Sequence, residues 1–386
     1  MLQSRKRPIA LLCALVMCLG LLSGIVLPQI AQTASAVADP YARIEAESTD
    51  EDGVITPKDN VYFLNFSTNT GNQYWNTQAP AENEGDEFTV MYGDSATNPT
   101  WGNGKTYKLQ WKVNAFGSWA DFITMFRGIN PDEKNNLVVV MFPGSVWSIS
   151  TNGNNDDAMT MTSPSAEDPT EAELLNAYFL GPQAGKSPVT AKGSNVVANG
   201  RSIDETREFV FRSTFWPPMN GVWHFDGVAG GANLKFFVTS SASATAKSAL
   251  YMDNLYAEVG GGSVQLFGIG GNNKTNGKNM KFEVTNSYFN QTGTDATSQA
   301  PVIQSNKTVF DNVVFNNFKL STADQYNQNQ HIKLSPMAQA NSSSAFMGDD
   351  AGKYSAVIKN CTFYDWQSAH IWRSSLSLFD EYGANA

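Results

Sequence analysis

Trp223-His224-Phe225-Asp226-Gly227-Val228 is the first copy of a short pattern that recurs through Val222 to Trp366. The later copies are Tyr251-Met252-Asp253-Asn254-Leu255, Phe282-Glu283-Val284-Thr285-Asn286-Ser287, Val309-Phe310-Asp311-Asn312-Val313 and Val357-Ile358-Lys359-Asn360-Cys361. Each reads as a short strand that ends at a turn. One aligned column is Gly227, Asn254, Asn286, Asn312, Asn360, with steps of 27, 32, 26 and 48 residues. The last step has room for two turns of the repeat, or for one turn with an insertion. Strands recurring at such a period without intervening amphipathic helices signal a solenoid. An Asn at the same corner of each coil tolerates unusual dihedrals, stacks on its neighbours and bonds the backbone of the bend. The expected fold is therefore all-β, a right-handed parallel β-helix.

The pattern and its Asn column resemble the pectate-lyase-like superfamily of β-helix proteins over roughly Phe116 to Trp366. That resemblance implies a secreted protein acting on polysaccharide, and it carries no catalytic motif with it. Leucine-rich repeats are excluded by the absence of their leucine spacing and helices.

Upstream, Ser118 and Asp121 form a capping box for an amphipathic helix over 118–129, with Trp119, Phe122, Ile123 and Phe126 on one face. The apolar strand Leu137 to Phe142 and a Pro143-Gly144 turn follow it. A helix in that place is expected to cap the open end of the solenoid. Residues 39–115 read as a small β-rich lead-in with strands near Val61 to Phe66, Phe88 to Tyr92 and Thr106 to Val113, and the solenoid then occupies 116–386. In the lead-in, Trp75 and Trp101 are read as core in preference to a sugar platform. Ala177 to Asn199 reads as a turn-rich insertion, as do Gly260 to Lys278, Thr292 to Ser305 and Leu320 to Lys353. Beyond Trp366 no C-terminal cap is evident, so the chain is expected to be truncated there or to need a partner chain or further coils over its end.

Residues 1–38 have the form of a signal peptide: Arg5, Lys6 and Arg7, an apolar run from Ile9 to Leu27, and small residues at Ala34-Ser35-Ala36 or Ala36-Val37-Ala38. An extracellular or cell-surface location is expected. Without that segment the chain has 23 basic and 36 acidic residues, a net of −13. A balance this acidic disfavours nucleic acid and anionic membranes as partners, disfavours highly anionic glycans unless a local patch or bound cation recruits them, and leaves an extracellular glycan as the expected partner. Cys361 is the one cysteine after residue 38, which leaves no intramolecular disulfide.

Strand parity locates the chemistry. If the turn residue points inward, so do Phe225, Met252, Val284, Phe310 and Ile358, two positions earlier. Asp226, Asp253, Thr285, Asp311 and Lys359 then face outward, and so do His224, Tyr251, Glu283, Val309 and Val357. Neighbouring coils lie about 4.8 Å apart, so Asp226 and Asp253 would hold their carboxylates at roughly 5 to 6 Å. That is close to the roughly 5 to 5.5 Å of retaining glycosidases. Glu283 and Asp311 form a second, wider pair suited to an inverting mechanism. His224 would orient a carboxylate, and Tyr251, Trp216 and Trp366 would bind the sugar. Asp before a turn residue is equally ordinary turn chemistry.

These residues point to a secreted or cell-surface glycoside hydrolase with paired carboxylates on the outer face, acting on neutral or host-type glycans. The alternatives are a non-catalytic adhesin or glycan-binding solenoid and a polysaccharide lyase, for which Lys359 is the one base in the outward columns. In its order of segments the chain is similar to the lacto-N-biosidase family. His224, His331 and His370 lack metal-ligand spacing, and Asp156-Asp157 and Asp349-Asp350 lack an EF-hand pattern. No cofactor is expected, and calcium has no argued site.

Overall fold

The computed structural model describes residues 39–65, 83–129, 136–147, 175–189, 202–204, 206–211, 214–215, 221–231, 235–238, 248–259, 267–269, 280–292, 302–303, 307–316, 332–334, 355–364 and 376–378. The signal segment 1–38, Trp75, Trp216, Trp366, His331, His370 and both Asp-Asp pairs lie outside them.

The described chain is mostly β. From Gly221–Asp226 it passes to Ala229–Gly230 and then to Lys235–Val238, members of a nine-, a seven- and a six-stranded sheet respectively. It returns to the first sheet at Ser248–Asp253 and repeats the circuit, re-entering that sheet at Met280–Thr285, Lys307–Asp311 and Ser355–Lys359. Each return pairs in parallel with the strand one circuit earlier, in register. Stacked parallel sheets visited cyclically are compatible with an all-β solenoid. Asp311 pairs directly with Lys359, so the 48-residue step is one circuit with an insertion.

Two sequence expectations need correction. The stretches read as insertions each carry a strand of the six-stranded sheet: Phe267–Ile269, Val302–Ile303 and Ile332–Leu334. Strands of two or three residues are too short to display a period of two. The region read as an insertion from Ala177 likewise begins inside a full strand, Leu175–Leu180, paired with both Gly221–Asp226 and Asn136–Met141. Its turn residue is Gly181, so the Asn column did not reveal it.

The inward positions behave as parity requires. Trp223, Phe225, Leu250, Met252, Phe282, Val284 and Phe310 are buried in one cluster, with Ile358 packed against it. Rings repeat from circuit to circuit, with Phe179 4.8 Å from Phe225 and Phe289 5.3 Å from Phe315. The helix runs Trp119–Arg127. Ser118 caps it by accepting the Asp121 N–H at 3.2 Å and donating to the Asp121 carboxylate at 2.8 Å. Gly128 closes it with its N–H on the Met125 carbonyl. Phe122, Ile123 and Phe126 join the same cluster as Leu137, Val139 and Met141, and Phe126 lies 5.8 Å from Trp223. The Trp119 side chain lies outside the description.

Ahead of the helix, Ala46–Thr49, Ile55–Pro57, Gly102–Gln110 and Glu87–Gly93 make a separate four-stranded sheet. Val61–Leu64 and Ala115–Phe116 belong instead to the nine-stranded sheet. A second cluster unites Phe88, Val90, Tyr92, Trp101 and Tyr107 with Val61, Phe63, Val138, Val140 and Leu180, outward residues of the nine-stranded sheet. Trp101 is core, packed edge-on against Tyr92. The lead-in therefore covers the outer face of the first strands.

Candidate functional site

The turn column is left-handed throughout: φ is 68° at Gly227, 55° at Asn254, 49° at Asn286, 60° at Asn312 and 54° at Asn360. Asn and Gly are the residues that adopt this region routinely. Their amides do not bond the bend, as the sequence reading had them do; they reach one circuit back. Asn254 donates to Asp226 at 2.7 Å, Asn286 to Asp253 at 2.8 Å, Asn312 to Asn286 Oδ1 at 2.8 Å and Asn360 to Asp311 at 2.7 Å. Gly227 departs from Asn because a Cβ there would lie 1.8 Å from the Ala184 nitrogen. The turn 181–185 occupies that space, and its Gly185 N–H bonds Asp226 at 2.9 Å.

Asp226, Asp253, Thr285, Asp311 and Lys359 share one register row, and His224, Tyr251, Glu283, Val309 and Val357 another. Upstream the rows continue into Leu180 and Tyr178. Asp226 is largely buried between the 181–185 turn and Asn254. Burial, against its two hydrogen bonds, pushes its carboxyl up to about 6. Asp253 accepts Thr285 Oγ1 at 2.6 Å and Asn286 on the same oxygen, Oδ1, which leaves Oδ2 without a partner among the described residues. Asp311 takes Asn360 on Oδ1 and Lys359 at 3.3 Å on Oδ2.

Glu283 differs from all three. Among the described residues it accepts no hydrogen bond and joins no ion pair, and burial raises its carboxyl above the ordinary range. Lys281 and Lys359 oppose that rise, while Asp311 and Asp253 add to it. Asp253 and Asp311 flank Glu283 diagonally, one strand over and two residues along, which sets the backbone positions ~8 Å apart. Carboxylates near that spacing leave room for a water between them.

Among the described residues His224 orients no carboxylate. Its ring lies flat between Tyr178, with centroids 4.2 Å apart, and Tyr251, at 4.8 Å. Nε2 is 3.4 Å from Asn176 Oδ1. Burial, helped by Arg43, lowers its pKa to about 3, so the imidazole is neutral. Arg43 covers the other face of Tyr178 at 3.9 Å, and Lys281 Nζ donates to the Tyr251 hydroxyl at 3.2 Å. One face of Tyr251 is thus taken by His224. Arg43 and Tyr178 escaped the sequence reading, Arg43 because it comes from a distant segment and Tyr178 because its strand was read as an insertion. Trp216 and Trp366 lie outside the described residues.

Cys361 is half-buried and donates to the Phe310 and Lys359 carbonyls; burial pushes its thiol up to about 11. Among the described residues no three His, Cys, Asp or Glu side chains gather as metal ligands. Comparison of the chain with protein-family models, with curated proteins and with solved structures yields no match.

Proposed function

We propose that the protein is a secreted glycoside hydrolase whose stacked sheets form a right-handed parallel β-helix of the pectate-lyase-like kind, with the helix Trp119–Arg127 covering one end. The observation that carries the reading is Glu283: a carboxyl on the outer face, raised by burial and unclaimed by described neighbours, beside an Asp253 anchored through one oxygen only. A raised pKa suits a general acid. Glu283 gives its proton to the glycosidic oxygen as the bond to the anomeric carbon breaks. Asp253 Oδ2 takes a proton from the water that attacks the opposite face, and the product is inverted. Asp226, the first candidate on spacing, is a turn residue in this scheme.

The test is a screen of the exported protein against aryl-glycosides, neutral oligosaccharides and pectic polymers, with product anomers followed by NMR. Glu283→Gln is expected to lower kcat by about 10²- to 10⁴-fold with KM little changed, and Asp253→Asn to do likewise. Unsaturated products would move the protein to the lyases.

A second reading has its own support, since Asp226, Asp253 and Asp311 each accept a turn Asn and so have a purely architectural use. It is a non-catalytic glycan-binding face. Glycan affinity without turnover, unchanged in Glu283→Gln and Asp253→Asn, is its signature.

A further inference from the structure

The row that holds Glu283 leads, away from Val309, through Tyr251, His224 and Tyr178 to Arg43. Arg43 is exposed, yet its backbone is fixed. Tyr41, two residues earlier, is buried and donates its hydroxyl to the Gly181 and Pro182 carbonyls at 3.0 and 3.2 Å. Ile44, one residue later, is buried, and its N–H returns to the Tyr41 carbonyl at 3.0 Å. The guanidinium lies 3.9 Å from the Tyr178 ring centroid. A guanidinium stacked on an aromatic face keeps its N–H groups for a ligand at the edge. Among the described residues it makes no ion pair: Asp226, close enough to interact with it electrostatically, is turned to Gly185 and Asn254. His224, behind Tyr178, is neutral and supplies no competing charge.

We propose that Arg43, held on Tyr178, binds an oxyanion carried by a sugar, so that the ligand of this face has an acidic substituent at the Arg43 end of the row. The guanidinium fork presents paired donors to a carboxylate or sulfate. Since the chain without its first 38 residues has a net charge of −13, long-range attraction does not recruit such a ligand; recognition is local and directional. Tyr178 lies three strand spacings from Glu283, roughly 14 Å along the sheet. That separation places the acidic group a few sugar rings from the bond cleaved, a step that rests on the hydrolytic reading above.

The experiment titrates the full-length chain carrying Glu283→Gln with glucuronate, glucose 6-sulfate and glucose, followed by the side-chain NMR signals of Arg43 and His224. Binding is thus read without turnover, and failure of hydrolysis does not decide it. At least one acidic sugar is expected to bind about tenfold or more tighter than glucose. Arg43→Gln should erase the difference, and Arg43→Lys, a point charge without the fork, should retain part of it. Preference for glucuronate over the sulfate names a uronate ligand, and the reverse names a sulfated one. Equal binding of all three sugars, no binding of any, or an acidic preference that survives in Arg43→Gln overturns the assignment.

Discussion

A carboxylate that accepts two hydrogen bonds is ordinarily held ionised, yet Asp226 is pushed up to about 6 because desolvation outweighs the bonds from Asn254 and Gly185. The sign of the consequence follows from linkage. The unfolded carboxyl titrates near the ordinary Asp value of about 4. Between there and about 6 the folded chain binds the extra proton, so Asp226 lowers stability as pH rises through that window. The full effect is as much as about 3 kcal/mol above it. Asp226→Asn keeps an acceptor for both donors and removes the charge. It should melt higher than the parent at pH 7 and converge with it below pH 4, as measured by thermal unfolding across pH. A parent that gains on the variant as pH rises would show Asp226 to be stabilised as an anion. The sequence displayed this carboxylate and its outward parity. It could not display the burial, because the 181–185 turn that covers Asp226 comes from another circuit.

The turn is the element in which sequence and structure agree most closely, since left-handed backbone selects Asn and Gly and so leaves a visible column. Asn286 has three uses there: φ of 49°, a side-chain Nδ2 that donates to Asp253 and a side-chain Oδ1 that accepts from Asn312. Asn286→Gly keeps the backbone and loses two hydrogen bonds, at about 1 kcal/mol each. Asn286→Ala loses the same bonds and adds roughly 1 to 2 kcal/mol for a Cβ in the left-handed region. Urea unfolding should therefore rank parent above Gly above Ala, and equal losses in the two variants would remove backbone strain from the account. The short strands between these turns were not legible in the same way. Val302–Ile303 has two residues and Ile332–Leu334 three, so their place in a sheet is decided by the strands beside them. Glu283 was legible as outward but not as the carboxyl without a hydrogen bond among the described residues, because its Asp rivals are claimed by Asn side chains one circuit away.

At the scale of the whole molecule, the nine-stranded sheet is covered unequally. Its early strands are buried on both faces: Leu137, Val139 and Met141 sit in the inner cluster, while Val138 and Val140 sit under the lead-in sheet. At the far strand, Ser355–Lys359, Val357 is 44% exposed and Ile358 is only partly buried, as are Cys361 and Phe363 just after it. The hydrogen-bonded ladder is continuous between these places, so any difference in local stability must come from side-chain burial. In a stacked-repeat protein each strand is stabilised chiefly by its immediate neighbours, and openings need not be global. Hydrogen exchange followed by mass spectrometry should therefore show the slowest amides in 137–141 and 175–180, intermediate rates in 221–226 and 248–253, and the fastest exchange in 355–364. The order matters for function, because Glu283 and Asp253 lie between the doubly covered strands and the exposed one. A gradient that passes through 280–285 would leave the candidate acid on a strand that opens more readily than the aromatic row beside it. Uniform protection from 137 to 364 would show instead that the described strands open as a single cooperative unit, and that the lead-in adds nothing local to the strands it covers.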